Sequence, residues 1–188
     1  MRVSKVMLAG LFGMAAALAA APAQAEILKF DTKLGGKYAV PPTDSAATGK
    51  AHFKVDTERK TVSMDLLVKG ITADKLWDRL VAAPIGPIHI HKYLTVPGGD
   101  SVLVLPVPYG ANYVATKDGL HVTVKDLEYA EGVKLSKSNV TFDQFLVALK
   151  DGLMAVNVHT DAFNPGEISG ILGGGAVPTP VPGAAHKH

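Results

Sequence analysis

The chain of 188 residues holds seven histidines and no cysteine, so any metal chemistry it does must run through imidazole and carboxylate rather than thiolate. His89 and His91 stand two apart in Gly86-Pro87-Ile88-His89-Ile90-His91. On a strand, side chains at i and i+2 emerge on one face. The two imidazoles would therefore project together, with Ile88 and Ile90 turned the other way. Val156-Asn157-Val158-His159-Thr160 repeats the pattern, setting Asn157 and His159 against Val156 and Val158. If the two strands are near neighbours, His89, His91 and His159 converge. Neutral imidazole suits cupric copper and zinc, and three histidine ligands leave one coordination position open. The set is read as a metal site, with copper favoured and zinc the alternative. The competing reading makes them polar-face strand histidines, hydrogen-bonded to neighbours or solvent.

Other candidates carry less. His52 and His121 fall on the polar faces of alternating strands, where solvent or a neighbour satisfies them. His186 and His188 form a second H-x-H within a Gly- and Pro-rich stretch. Ordering such a segment around a metal costs conformational entropy. Glu167 follows the turn Asn164-Pro165-Gly166 and can orient an imidazole, as carboxylates beside metal ligands do, or simply start a strand; the second role is preferred. There is no phosphate-cradling glycine loop, no H-E-x-x-H and no G-x-S-x-G. No catalytic and no organic-cofactor-binding residue is assigned.

The elements that must position these residues are mostly strands. Ala51–Val55 alternates apolar and polar, the period of a half-buried strand. Thr61–Val68 follows a turn-like stretch and pairs with it as a hairpin. Ile88–His91, Ser101–Val107, Leu120–Val124, Leu153–His159 and Glu167–Leu172 are further strands. Two stretches read as short helices. Asp74–Val81 has apolar residues at helical spacing, and Thr141-Phe142-Asp143-Gln144 fits a capping box ahead of Phe145, Leu146 and Leu149, with Gly152 as the stop. The fold class expected is mainly β, an antiparallel sandwich or barrel, with a superoxide-dismutase-like Greek key as one form it can take.

The ends bound the compartment. A basic start, an apolar Ala-rich run and Ala23-Gln24-Ala25 read as a secretory signal over residues 1–25, cleaved after Ala25. Residues 26–172 form one domain, and residues 173–188 a flexible Gly/Pro tail. The expected address is periplasmic or secreted, with no membrane span after cleavage. Removing residues 1–25 takes Arg2 and Lys5, leaving as many basic as acidic side chains. Such a balance lacks the basic footprint of a nucleic-acid binder. Only Met64 and Met154 remain, too few for a methionine-rich cuprous site.

The same residues carry a resemblance. Leu34-Gly35, Val40-Pro41-Pro42, Ala47-Thr48-Gly49-Lys50-Ala51-His52-Phe53, the central His89-Ile90-His91, Asn157-Val158-His159-Thr160 and Asn164-Pro165-Gly166-Glu167-Ile168-Ser169-Gly170 resemble the motifs of the CHRD (chordin-type) domain family. The likeness spans about residue 27 to 172. Ala39 stands where the family usually has an acidic residue, and Leu76–Pro84 looks like an insertion. The resemblance implies a β-sandwich-like domain and no particular activity. His-x-His on a strand is also similar to the copper-binding strand of copper/zinc superoxide dismutases, although this chain lacks the disulfide cysteines of those enzymes. Three functions follow as expectations: an exported metal-binding protein, a non-catalytic module for a protein or glycan partner at the cell surface, and, least favoured, a copper-dependent redox enzyme.

Overall fold

In the computed structural model, the described residues are 26–173 and 186–187. The secretory-signal reading, and the tail reading over 174–185 and 188, fall outside them. Strands β1 (Ile27–Gly35), β2 (Thr48–Asp56), β3 (Thr61–Lys69), β4 (Ile88–Tyr93), β5 (Ser101–Val107), β6 (Tyr113–Thr116), β7 (Gly119–Glu128), β8 (Met154–Val158), β9 (Ile168–Leu172) and the two-residue β10 (His186–Lys187) form one sheet. Its order is β10-β5-β4-β8-β9-β1-β2-β3-β7-β6, and every pairing except that of β10 is antiparallel. The expected antiparallel β architecture thus takes the form of one sheet curled into a half-barrel. Among the described residues, no helix is long and apolar enough to cross a membrane.

Curling brings the two ends of the strand order to one core. Val55, Leu66 and Val122 from one half share a cluster with Ile88, Val104, Val156 and Ile168 from the other. Helix α3 (Phe142–Lys150) seals it with Phe145, Ala148 and Leu149, each about 1% exposed. The capping box read from sequence is present. Thr141 Oγ1 accepts from the Gln144 N–H at 3.3 Å, and Gln144 Oε1 accepts from the Thr141 N–H at 2.9 Å.

The β2–β3 hairpin forms as expected, in register from Thr48↔Lys69 to Asp56↔Thr61. Residues 74–81 split into a 3-10 turn (Ala73–Lys75) and the one-turn helix α1 (Asp78–Val81). Leu76 between them is fully buried and bridges Thr160. Helix α2 (Tyr129–Ser136) is an element that the sequence reading lacks. Gly132 in its middle lowers helix propensity, yet a Cβ there would stand 2.4 Å from Leu105 Cδ2. The glycine is what lets α2 lie against β5. Strand β1 is also additional; Leu28, Phe30, Thr32 and Leu34 carry the period-two alternation that finds it.

Candidate metal centre

Strands β4 and β8 are direct antiparallel neighbours. Their register pairs Ile88 with Val158, His89 with Asn157, Ile90 with Val156 and His91 with Ala155. Opposed residues share a sheet face. His89, His91, Ala155 and Asn157 therefore lie on one side, and Ile88, Ile90, Val156 and Val158 join the main core on the other. His159 stands one residue past β8, where its N–H donates to the Pro87 carbonyl at 2.9 Å. That bond keeps the ladder's parity for one more step and places His159 on the face of His89.

The three imidazoles are brought together as expected. Ring centroids are 4.7 Å apart for His89–His159, 5.6 Å for His89–His91 and 6.2 Å for His91–His159. One nitrogen from each ring lies within 4.8 Å of the others. A tetrahedral cation with bonds of about 2.0–2.1 Å holds its nitrogens roughly 3.3–3.4 Å apart. The widest pair would have to close by about 1.4 Å, which small side-chain rotations supply.

All three histidines are fully buried, which the polar-face expectation for these strands did not include. Both faces of β4 and β8 are covered. On the histidine side, Val40 packs with Tyr93 and Ala155 in a second small cluster. Val40 comes from the segment after β1, which crosses that face and is tied down at Glu167. Glu167 Oε1 accepts from Ser45 Oγ at 2.5 Å, and its backbone carbonyl accepts from Thr43 Oγ1 at 2.7 Å. Glu167 Oε2 accepts from Thr160 Oγ1 at 2.6 Å. The carboxylate thus joins two segments more than 100 residues apart in sequence and does not itself bond an imidazole. Glu167 lies one residue before β9, not within it as the sequence reading had it, and it also fixes the backbone next to His159.

The loop after His159 orients the ring. His159 Nδ1 lies 2.8 Å from the Asn164 carbonyl, which can only accept, so Nδ1 carries the proton. Asn164 Nδ2 donates back to the Thr160 carbonyl at 3.1 Å. Gly166, at φ +134°, closes the loop; a Cβ there would lie 3.9 Å from His159 Cε1. Trp77 N–H donates to the His159 carbonyl at 3.1 Å, so the apparent insertion helps to hold the site. His91 Nδ1 lies 3.5 Å from Ser101 Oγ, a long contact from the neighbouring strand. Asn157, beside His89, accepts from Ser169 Oγ at 2.7 Å. A backbone acceptor behind the imidazole is the arrangement that presents a nitrogen to a metal.

The remaining histidines of the domain go elsewhere. His52 Nδ1 meets Asp31 Oδ1 at 2.5 Å and His121 Nε2 meets Asp65 Oδ2 at 2.9 Å, both on solvated strand faces. Neither belongs to the buried cluster.

Fold and site together define a curled antiparallel β-domain that buries a trio of convergent histidines. Residues 30–172 match the CHRD domain model, and the chain belongs to that family. No curated protein and no solved structure matches it.

Proposed function

We propose that this protein binds one transition-metal cation through His89, His91 and His159, and that it does so after export. The observation that carries the reading is convergence: three fully buried imidazoles from two separate segments place one nitrogen each within 4.8 Å. His159 is held by its Nδ1 bond so that Nε2 can donate to the ion. Imidazole-only ligation favours cupric copper over zinc, following the general order of divalent affinities. Full burial argues for holding the ion rather than turning over a substrate. An exported compartment would suit such a role, since the cysteine-free domain needs no disulfide chemistry to fold there.

The test is competition titration of the protein lacking residues 1–25 against a chromophoric chelator, with copper and with zinc. One equivalent is expected to bind, and His159→Ala is expected to weaken binding by at least about 100-fold. Uptake that is absent, or unchanged in His159→Ala, removes the proposal.

A further inference from the structure

The solvated half of the sheet carries a charge pattern that the metal centre does not use. In β1 and β2 the register sets Lys29 directly opposite Lys54 and Lys33 directly opposite Lys50. All four side chains are exposed. Like charges directly opposite one another destabilise a sheet, so both pairings work against the fold. Each pair gains a third ammonium from a neighbouring strand. Lys69 of β3 stands opposite Thr48 and, with Lys33 and Lys50, borders a depression of about 370 Å³ floored by Leu34 and Gly49. Among the described residues, no acidic side chain lines it. Lys125 of β7 joins Lys29 and Lys54 around a second depression of about 350 Å³. Among the described residues, none of these six lysines is in an ion pair. The two aspartates between the clusters, Asp31 and Asp65, are taken instead by His52 and His121. An even balance of charge over the chain therefore conceals a local concentration of cations on one face, and such a concentration attracts anions.

We propose that the solvated face of β1, β2 and β3 binds a linear polysaccharide bearing carboxylate or sulfate groups. Lys33, Lys50 and Lys69 hold one anionic group, and Lys29, Lys54 and Lys125 hold another. Three observations select this ligand. Lys29 and Lys33 stand four residues apart on one strand, about 13 Å at the usual rise, so two separate anionic groups are addressed and a polymer carries both. The row between the clusters runs Asp31, His52, Asp65 and Thr123 across four strands. Those side chains offer hydrogen-bonding atoms to sugar hydroxyls, whereas the two carboxylates repel the unbroken charge of a phosphodiester chain. Finally, β1, β2 and β3 present no exposed Phe, Tyr or Trp, the rings on which nucleobases stack. Charge interspersed with hydroxyls is the pattern that fits lysine clusters separated by a neutralised polar row. The face contains none of the three buried histidines, so the two sites stand or fall separately.

The experiment is isothermal titration calorimetry on the protein lacking residues 1–25, with polygalacturonate and heparin oligosaccharides as probes. Neutral dextran, a single-stranded oligonucleotide and inorganic phosphate are run beside them. At least one anionic saccharide is expected to bind, more weakly as salt rises, and dextran is not. Lys33→Gln, Lys50→Gln and Lys54→Gln should each weaken binding about tenfold, the loss of one hydrogen bond to a charged group. Lys134→Gln, on helix α2, should leave it unchanged. Thermal melting separates ligation from folding: Lys50→Gln relieves a like-charge pair, so it should melt at or above the wild-type temperature while binding less. No heat with either anionic saccharide, or an equal loss in Lys134→Gln, would overturn the proposal. An oligonucleotide bound as tightly as the saccharides would overturn the choice of polymer. Inorganic phosphate displacing the saccharide at equal concentration would overturn a site that spans both clusters.

Discussion

Two halves of one sheet treat histidine in opposite ways. In β2, β3 and β7, burial alternates along the strand, as in the e-B-e-B pattern of β2, and one face is wet. His52 and His121 sit on that face, each beside an aspartate. In β4 and β8, burial is nearly continuous, because the segment around Val40 covers the second face. There His89, His91 and His159 face one another. The residue type is the same and so is the strand periodicity. What differs is the layer above the strand: under water a histidine finds a carboxylate, and under protein it needs a partner that the protein itself or an ion must provide.

The sharpest way to break this contrast is to remove one imidazole from each side and measure metal affinity. His91→Ala is expected to reduce copper affinity by at least about 100-fold, beyond the 10- to 100-fold seen for outer-shell changes. His52→Ala and His121→Ala should leave it unchanged. Equal losses on both faces would dissolve the distinction.

Next in size is the clamp that covers the histidine face. Glu167→Ala strips acceptors from Ser45 and Thr160 in a part-buried to buried setting. A loss of about 2–3 kcal/mol in urea unfolding is expected, since charge-assisted hydrogen bonds and the donors they leave behind are worth that much. Metal affinity should fall with it, because Thr160 adjoins His159. Gly166→Ala should cost about 1–2 kcal/mol through backbone strain at positive φ. The new Cβ meets only ordinary contacts, so a larger loss would point to displacement of His159.

A subtler probe is Tyr93, which shares the covered face. Burial raises its phenol from 10.0 to about 12. The unfolded state then ionises first as pH rises. The stability tied to Tyr93 is fully present below about pH 10 and is lost as pH climbs toward 12. Ultraviolet titration of wild type against Tyr93→Phe should isolate a phenol ionising near 12; one ionising near 10 would mean that this face is wet. The smallest effect is expected at His52→Ala, under about 0.5 kcal/mol in chemical unfolding, because its pair with Asp31 is largely exposed and screened.

How much of this was legible in the sequence differs by element. Strand parity at residues 88–91 and 156–159 is a local property, so the shared face of the histidines could be read directly from spacing. That β4 and β8 are adjacent rests on sheet order, which no local pattern encodes. The covering of the histidine face was hidden for the same reason. It depends on Thr43 and Ser45 reaching Glu167 across more than 100 residues. Helix α2 was obscured because Gly132 argues against a helix locally, while the close approach to Leu105 that requires it is tertiary. Strand β1 was different: its alternation from Leu28 to Leu34 was in plain view and needed only to be followed past the expected cleavage point. The closing motif Asn164-Pro165-Gly166-Glu167 read as a turn, yet Asn164, through its carbonyl and side-chain amide, and Glu167, through Oε2, fix the residues at positions 159 and 160.

The central claim is that three imidazoles from two segments share one ion. Anomalous X-ray diffraction at the copper edge, on crystals of the copper-loaded protein, tests it most directly. The account predicts a single strong peak about 2.0–2.1 Å from one ring nitrogen each of His89, His91 and His159. A peak on the solvated face beside His52 or His121, or none within reach of the buried trio, would contradict it.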